Sequence, residues 1–378
     1  MTGEFSPGYN ITTKLADVIF METNLKRDRM TKGERWTALF NGQPVDRIAF
    51  YGFANEFSVI HAGLPIAAAY NQPEDLFKAV THTAAEFGWQ DLPMIVYASM
   101  GAWEFGGTIE WPTSEFSQAP MITRRPVNSE EDVDKLQLPE VKTAGIIPLM
   151  LAVAKMQEER STDLIPVAAG TPWGFAANIC GVDLLCRWAL KKPDLVHRIQ
   201  QKLLPFSISL LRYWVDTFGA DRLFPWIGGT STTSNNLISP RLFEQLALPY
   251  IKELYNEARN IGIKHVFCHI CGEQNLNLPY WSQLDFGDPG VLSFGHEIDL
   301  ETANRYFPRH IIMGNIEPAV IQTSSPEEVY QLTQKVIEKG RKCSGGFILA
   351  PGCAMPPKAP EQNLWAIMQA VSDFGWYE

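Results

Sequence analysis

Two stretches of this sequence carry the residue types best suited to chemistry. One is Lys264-His265-Val266-Phe267-Cys268-His269-Ile270-Cys271-Gly272 and the other is Gly346-Phe347-Ile348-Leu349-Ala350-Pro351-Gly352-Cys353. Each reads as a strand running into a turn. Side chains alternate along a strand, so His269 and Cys271 converge on one spot while Cys268 and Ile270 point the other way. Cys353 lies just past the second strand, where its sulfur can reach that spot. One imidazole and two thiolates are soft to borderline donors suited to zinc, with a fourth position left for chemistry. Cys268 and Cys271 also spell Cys-x-x-Cys, but that redox motif normally opens a helix and here it sits on a strand.

Such a set needs strands whose carboxyl ends meet. Eight strand-like runs are present: 47–51, 93–97, 164–168, 222–226, 265–269, 291–294, 311–313 and 347–349. Helical patterns separate most of them, notably around 184–218, 240–261, 326–343 and 360–374. Repeated β-then-α units predict parallel strands, and eight of them predict an α/β fold, a single (β/α)8 TIM-type barrel. The expected layout is an N-terminal extension over 1–30 and a barrel domain over 31–378. An elaborated insertion is expected at about 99–146, where Gly, Pro and Trp crowd and periodicity fails. Thr31 and Glu34 spell a capping box that opens a helix to Phe40, ended by a turn at Asn41-Gly42.

Barrels of this class hold their sites at the carboxyl ends of strands. His269 and Cys271 end the fifth run, Glu297 follows the sixth, Asn315 and Glu317 follow the seventh, and Cys353 follows the eighth. Glu297 is the first candidate for the fourth metal position, with His296 second; the other reading of Glu297 is a solvated carboxylate ahead of a helix beginning near Asp299. Two thiolates blunt the acidity of a bound zinc. The site therefore suits a substrate sulfur or ether oxygen better than hydroxide generation.

Composition narrows the classes. A net charge of −10 over 378 residues argues against bulk attraction to nucleic acid or anionic membrane. Six cysteines in so long a chain are no disulfide framework, which points to a reducing, cytoplasmic setting. Residues 1–30 do not read as a signal peptide, and no apolar run is long enough to span a bilayer. No Gly-x-Gly-x-x-Gly, phosphate loop or Gly-x-Ser-x-Gly elbow is found. Most of Trp103, Trp111, Trp173, Trp226 and Trp281 are expected to pack in the core, and a minority to line an apolar pocket.

Taken together, Glu34-Arg35 through Gly42 to Asp46-Arg47, His269-Ile270-Cys271-Gly272, Met313-Gly314-Asn315-Ile316-Glu317-Pro318, and Phe347 to Cys353 followed by Pro356-Pro357-Lys358 resemble the uroporphyrinogen decarboxylase superfamily. The His-x-Cys with a distant Cys is similar to its zinc-dependent, corrinoid-linked methyltransferase branch. The resemblance covers nearly the whole chain from Thr31 onward. It implies the barrel fold and Zn2+ on His269, Cys271 and Cys353; in the expected mechanism Glu297 would occupy the metal at rest and yield to substrate, or help to protonate a leaving oxygen. Asn315 and Glu317 would shape the pocket, or Glu317 would merely brace a strand end. A separate corrinoid protein would bring the cobamide, since no Asp-x-His-x-x-Gly segment supplies a cobalt ligand. Decarboxylation of a porphyrinogen with eight carboxylates needs several cations, yet Lys78 is the only Lys or Arg from 48 to 123. The expected reaction is methyl transfer from a methoxylated, possibly aromatic, compound to the cobamide. Methyl transfer from the cobamide to a thiol such as coenzyme M, the decarboxylase itself, and a non-catalytic zinc barrel are the alternatives.

Overall fold

The structure is a computed structural model and describes residues 25–117, 119–161, 163–228 and 231–377. Most of the expected N-terminal extension, and with it the reading of its first residues as no signal peptide, lies outside the described residues. Thr31 caps the first described helix, Lys32–Phe40, by accepting from the Glu34 amide, and Glu34 returns a bond to the Thr31 amide.

Seven parallel strands form one curled sheet. They are β1 (Ala49–Phe50), β4 (Ile165–Ala168), β5 (Leu223–Trp226), β6 (Phe267–Ile270), β7 (Val291–Phe294), β8 (Ile311–Ile316) and β9 (Phe347–Pro351), ordered β1-β9-β8-β7-β6-β5-β4. A separate antiparallel hairpin, β2 (Thr108–Glu110) with β3 (Met121–Arg124), stands in the 99–146 region, followed by a short helix, Glu130–Lys135. Helices lie between the successive strands of the curled sheet, as in an α/β barrel.

One expected strand is corrected. The run 93–97 forms no ladder, although it fills the place between β1 and β4. Gln90 donates to the Phe50 carbonyl at 3.0 Å, and Asn55 Nδ2 reaches the Met94 carbonyl at 2.6 Å. On the other side, Asn178 Nδ2 bonds the carbonyls of Ala98 and Met100 at 2.8 and 2.7 Å. Pro93 has no N–H to give a ladder, so side-chain amides close the wall there instead. The long helix expected over 184–218 is likewise two helices, Val182–Lys191 and Pro193–Phe218, because the residue before a proline is pushed out of the helical region.

Alternation along the strands separates two cores. Phe224, Phe267, Val291, Ile311, Met313 and Ile348 face the barrel interior, which the first helix plugs with Trp36, Leu39 and Phe40. Cys268, Ile270, Leu292, Phe294, Ile312 and Leu349 face the surrounding helices. Phe40 meets Phe224 edge-on at 5.4 Å, sealing the amino end of the barrel. The carboxyl end is left to the site. No helix among the described residues is long and apolar enough to cross a membrane.

Candidate metal centre and its cavity

His269 is the last inward residue of β6, directly above Phe267, and its registered partner on β7 is Ser293. That pairing sets His269 Nδ1 3.0 Å from Ser293 Oγ. With Nδ1 engaged by the hydroxyl, Nε2 is buried and has no hydrogen-bond partner of good geometry among the described residues. A buried orphan nitrogen is costly unless it has a ligand to meet. Phe53 and Trp226 hold the imidazole edge-on at 5.7 and 5.8 Å.

Cys271 follows two residues later, and the chain turns at Gly272, whose φ of +75° a side chain would resist. Gln274 pins the turn by bonding the Cys271 carbonyl at 3.4 Å and Thr233 Oγ1 at 2.9 Å. Cys353 arrives from the end of β9. Gly352 lets it approach, since a Cβ there would stand 2.9 Å from the His296 amide nitrogen. Beyond it, the Met355 amide bonds the Phe53 carbonyl at 2.8 Å, drawing the loop across the end of β1.

One nitrogen of His269 and the two sulfurs lie within 4.8 Å of one another, and the sulfurs are 3.9 Å apart. Two thiolates on a tetrahedral zinc would be about 3.8 Å apart. The donor set, the sulfur spacing and the orphaned Nε2 thus fit zinc. The Cys271 hydrogen bond brings Cys353 well below the usual thiol range and favours its thiolate, with help from the adjacent His269 and against the effect of burial. The same contact, with burial, pushes the Cys271 thiol far up.

The remaining expected residues are placed less centrally. Glu297 stands outside the cluster of three, with Oε2 3.7 Å from His296 Nδ1. Its carboxylate folds back over Gly295, where any Cβ would lie 2.3 Å from Oε2, and its charge is felt at Cys271. Asn315 spends both amide hydrogens on that loop, bonding the carbonyls of Gly295 and Ile298 at 3.1 and 2.7 Å. Glu317 precedes the helix Pro318–Thr323 without capping it and lies 4.0 Å from His296 Nε2. Cys268 faces away from the sulfurs and is buried in the outer core, so the Cys-x-x-Cys spacing brings no dithiol together.

The cluster opens into a cavity of about 510 Å³. Its walls include Phe53, Val96, Tyr97, Met100, Phe175 and Trp226, and no Lys or Arg is among its described lining residues. Of the five tryptophans singled out, only Trp226 lines it. Trp173 and Trp281 are fully buried, and Trp103 packs edge-on against Trp111 at 5.6 Å. Sequence reasoning missed Glu56, a cavity-lining carboxyl only 5 % exposed. Its position just after β1, inside the apolar run Phe53-Ala54-Asn55-Glu56-Phe57, is the signal that would have found it. Burial pushes this carboxyl up to about 7, opposed by a hydrogen bond from Tyr70 Oη at 2.7 Å.

The family profile for uroporphyrinogen decarboxylase (URO-D) matches residues 31–374. The chain belongs to the uroporphyrinogen decarboxylase family. It is an enzyme of that family, and its relatives bear out the resemblance to the methyltransferase branch. It is 26 % identical over 352 residues to the methylcobamide:CoM methyltransferase MtbA of Methanosarcina mazei, covering 91 % of this chain and 98 % of the relative. It is also 26 % identical over 268 residues to a uroporphyrinogen decarboxylase of Coxiella burnetii, covering 67 % of this chain and 70 % of that protein. Among solved structures, a methyltransferase from Methanosarcina mazei superimposes with a TM-score of 0.75 at 21 % identity, covering 92 % of this chain and 99 % of that one. That likeness bears out the barrel fold.

Proposed function

We propose that this family member is a zinc-dependent methyltransferase that passes a methyl group from a small methoxylated aromatic compound to the cobamide of a separate corrinoid protein. The observation that carries the reading is a His-Cys-Cys donor set in the wall of an otherwise apolar cavity. His269, Cys271 and Cys353 would hold the ion, with Ser293 fixing the imidazole. Zinc there supplies Lewis acidity to the substrate's ether oxygen.

The chain's own residues supply the rest. Phe53, Phe175 and Trp226 offer aromatic walls to a ring and keep water from the reacting oxygen. Holding the ether with its methyl toward the barrel mouth turns an encounter of three bodies into a positioned transfer. Glu297 is the exchangeable group at the edge of the cluster, and Asn315 braces the loop that carries it. Glu317 sets the far side of His296.

The absence of Lys and Arg from the described cavity wall favours a neutral substrate. A polycarboxylate would meet no Lys or Arg there, and a buried Glu56 besides. The corrinoid partner is supported by the methylcobamide named in the relatives.

The test is spectroscopic. Zinc-loaded enzyme, cob(I)alamin and a panel of methoxyaromatics are expected to yield methylcobalamin. Methylcobalamin losing its methyl to thiols, with no transfer from any aryl ether, would overturn this direction in favour of the thiol reading.

A further inference from the structure

Glu56 is unexplained by the metal centre, and its placement is unusual. It is the one carboxyl among the described residues lining the cavity, and none of those residues is a Lys or Arg that would neutralise it. An isolated carboxylate in an apolar wall costs several kcal/mol unless it is protonated or has a partner, and such groups cluster at functional sites. Tyr70 Oη donates to its Oε1 at 2.7 Å and fixes the carboxyl at the first turn of the helix Asn55–His61. Asn55, beside it, is spent on the Met94 carbonyl, so the backbone under Glu56 is held from both sides.

The loop carrying Cys353 crosses this point. The Met355 amide bonds the Phe53 carbonyl at 2.8 Å, three residues before Glu56 and two after Cys353. Glu56 and the His-Cys-Cys cluster therefore share one cavity, with Glu56 and Cys353 entering it from the adjacent ends of β1 and β9.

We infer that Glu56 is the acid that protonates the leaving oxygen when an aryl methyl ether gives up its methyl group. The inference rests on the function proposed above. The carbon–oxygen bond breaks with its electron pair left on oxygen. The methyl carbon takes the electron pair of the partner's cob(I)amide, which is oxidised formally by two electrons as the carbon–cobalt bond forms. The Glu56 proton moves to the oxygen, a phenol leaves, and solvent reprotonates Glu56 before the next turnover. Burial favours the protonated form that this step requires, and a carboxyl tuned near neutrality matches the range in which a general acid works best.

The experiment compares wild type with Glu56→Gln, which keeps size and hydrogen bonding but has no acidic proton. With an unactivated methoxybenzene, the variant is expected to lose about 10²–10⁴-fold in rate. With a nitro-substituted ether, whose phenolate needs no proton to leave, the loss should be under about tenfold. Equal loss on both substrates, or none on either, overturns the inference. A wild type inactive on all aryl ethers would instead refute the proposed function.

A second readout needs no turnover. Binding of an aryl methyl ether to the zinc-loaded protein, followed by quenching of tryptophan fluorescence with Trp226 in the wall, should weaken as pH rises through about 7, since an ether oxygen only accepts. The other titratable groups coupled to Glu56 are Tyr51 and Tyr70, which burial keeps protonated well above that range, and Cys353, which bound zinc would keep as a thiolate. Glu56→Gln should bind independently of pH. Tyr70→Phe, which removes a bond favouring the carboxylate, should move the midpoint upward and serves should the Gln variant not fold. A midpoint unmoved by either substitution overturns the assignment.

Discussion

Replacing Ser293 by alanine should weaken zinc binding by one to two orders of magnitude while leaving all three ligands in place. Ser293 is fully buried and pairs in register with His269, so its hydroxyl has a fixed path to Nδ1 at 3.0 Å. With a metal on Nε2 the ring proton sits on Nδ1 and Ser293 Oγ accepts it, which holds the ring with Nε2 toward the sulfurs. Without that bond the ring is oriented only by the edge-on contacts to Phe53 and Trp226. Removing such a supporting partner typically costs ~10–100-fold in metal affinity, or about 1.4–2.8 kcal/mol. Competition against a chromophoric chelator measures this directly, with Cys271→Ala and Cys353→Ala as controls that should lose the metal outright. An unchanged affinity in Ser293→Ala, or full zinc occupancy in either cysteine variant, would refute the assignment of this centre.

In chelator-treated protein, iodoacetamide should go on modifying Cys353 at acidic pH where an ordinary thiol has stopped reacting, because the Cys271 contact and His269 favour its thiolate. Cys271, whose proton is held by the same contact, should stay unmodified over that range; peptide mapping by mass spectrometry distinguishes the two. A rate for Cys353 that drops tenfold per unit below pH 8, as for an ordinary thiol, would contradict the sulfur contact. Gly352→Ala should lower zinc affinity at least about tenfold and reduce the melting temperature by several degrees, since its Cβ would stand 2.9 Å from the His296 amide and push the Cys353 loop off the β7 loop. Unaltered zinc affinity would show that the approach of these loops does not set the cluster.

The sequence by itself determined the barrel class and pointed to the three candidate donors that the fold brings together. Alternation along a strand is local, so His269-x-Cys271 had to share a face and Cys268 had to turn away, and the structure has them so. The cap at Thr31 and the helix opened by Asp299 were equally legible, because capping depends on neighbours three residues apart.

Tertiary structure decided what depends on distant segments. The run 93–97 looks like a strand by composition, but whether it joins a ladder depends on the amides its neighbours offer, and there Asn55 and Asn178 act instead. Glu297 was read as a metal ligand from its strand-end position. Where its carboxylate turns depends on the bare backbone of Gly295 and on His296, and it ends beside the cluster. Glu56 carried no motif at all. Its significance comes from burial beside a cavity lined from five strand ends and from the absence of Lys and Arg among the described lining residues, and a charge's cost is set by its surroundings in space, which sequence neighbours do not reveal.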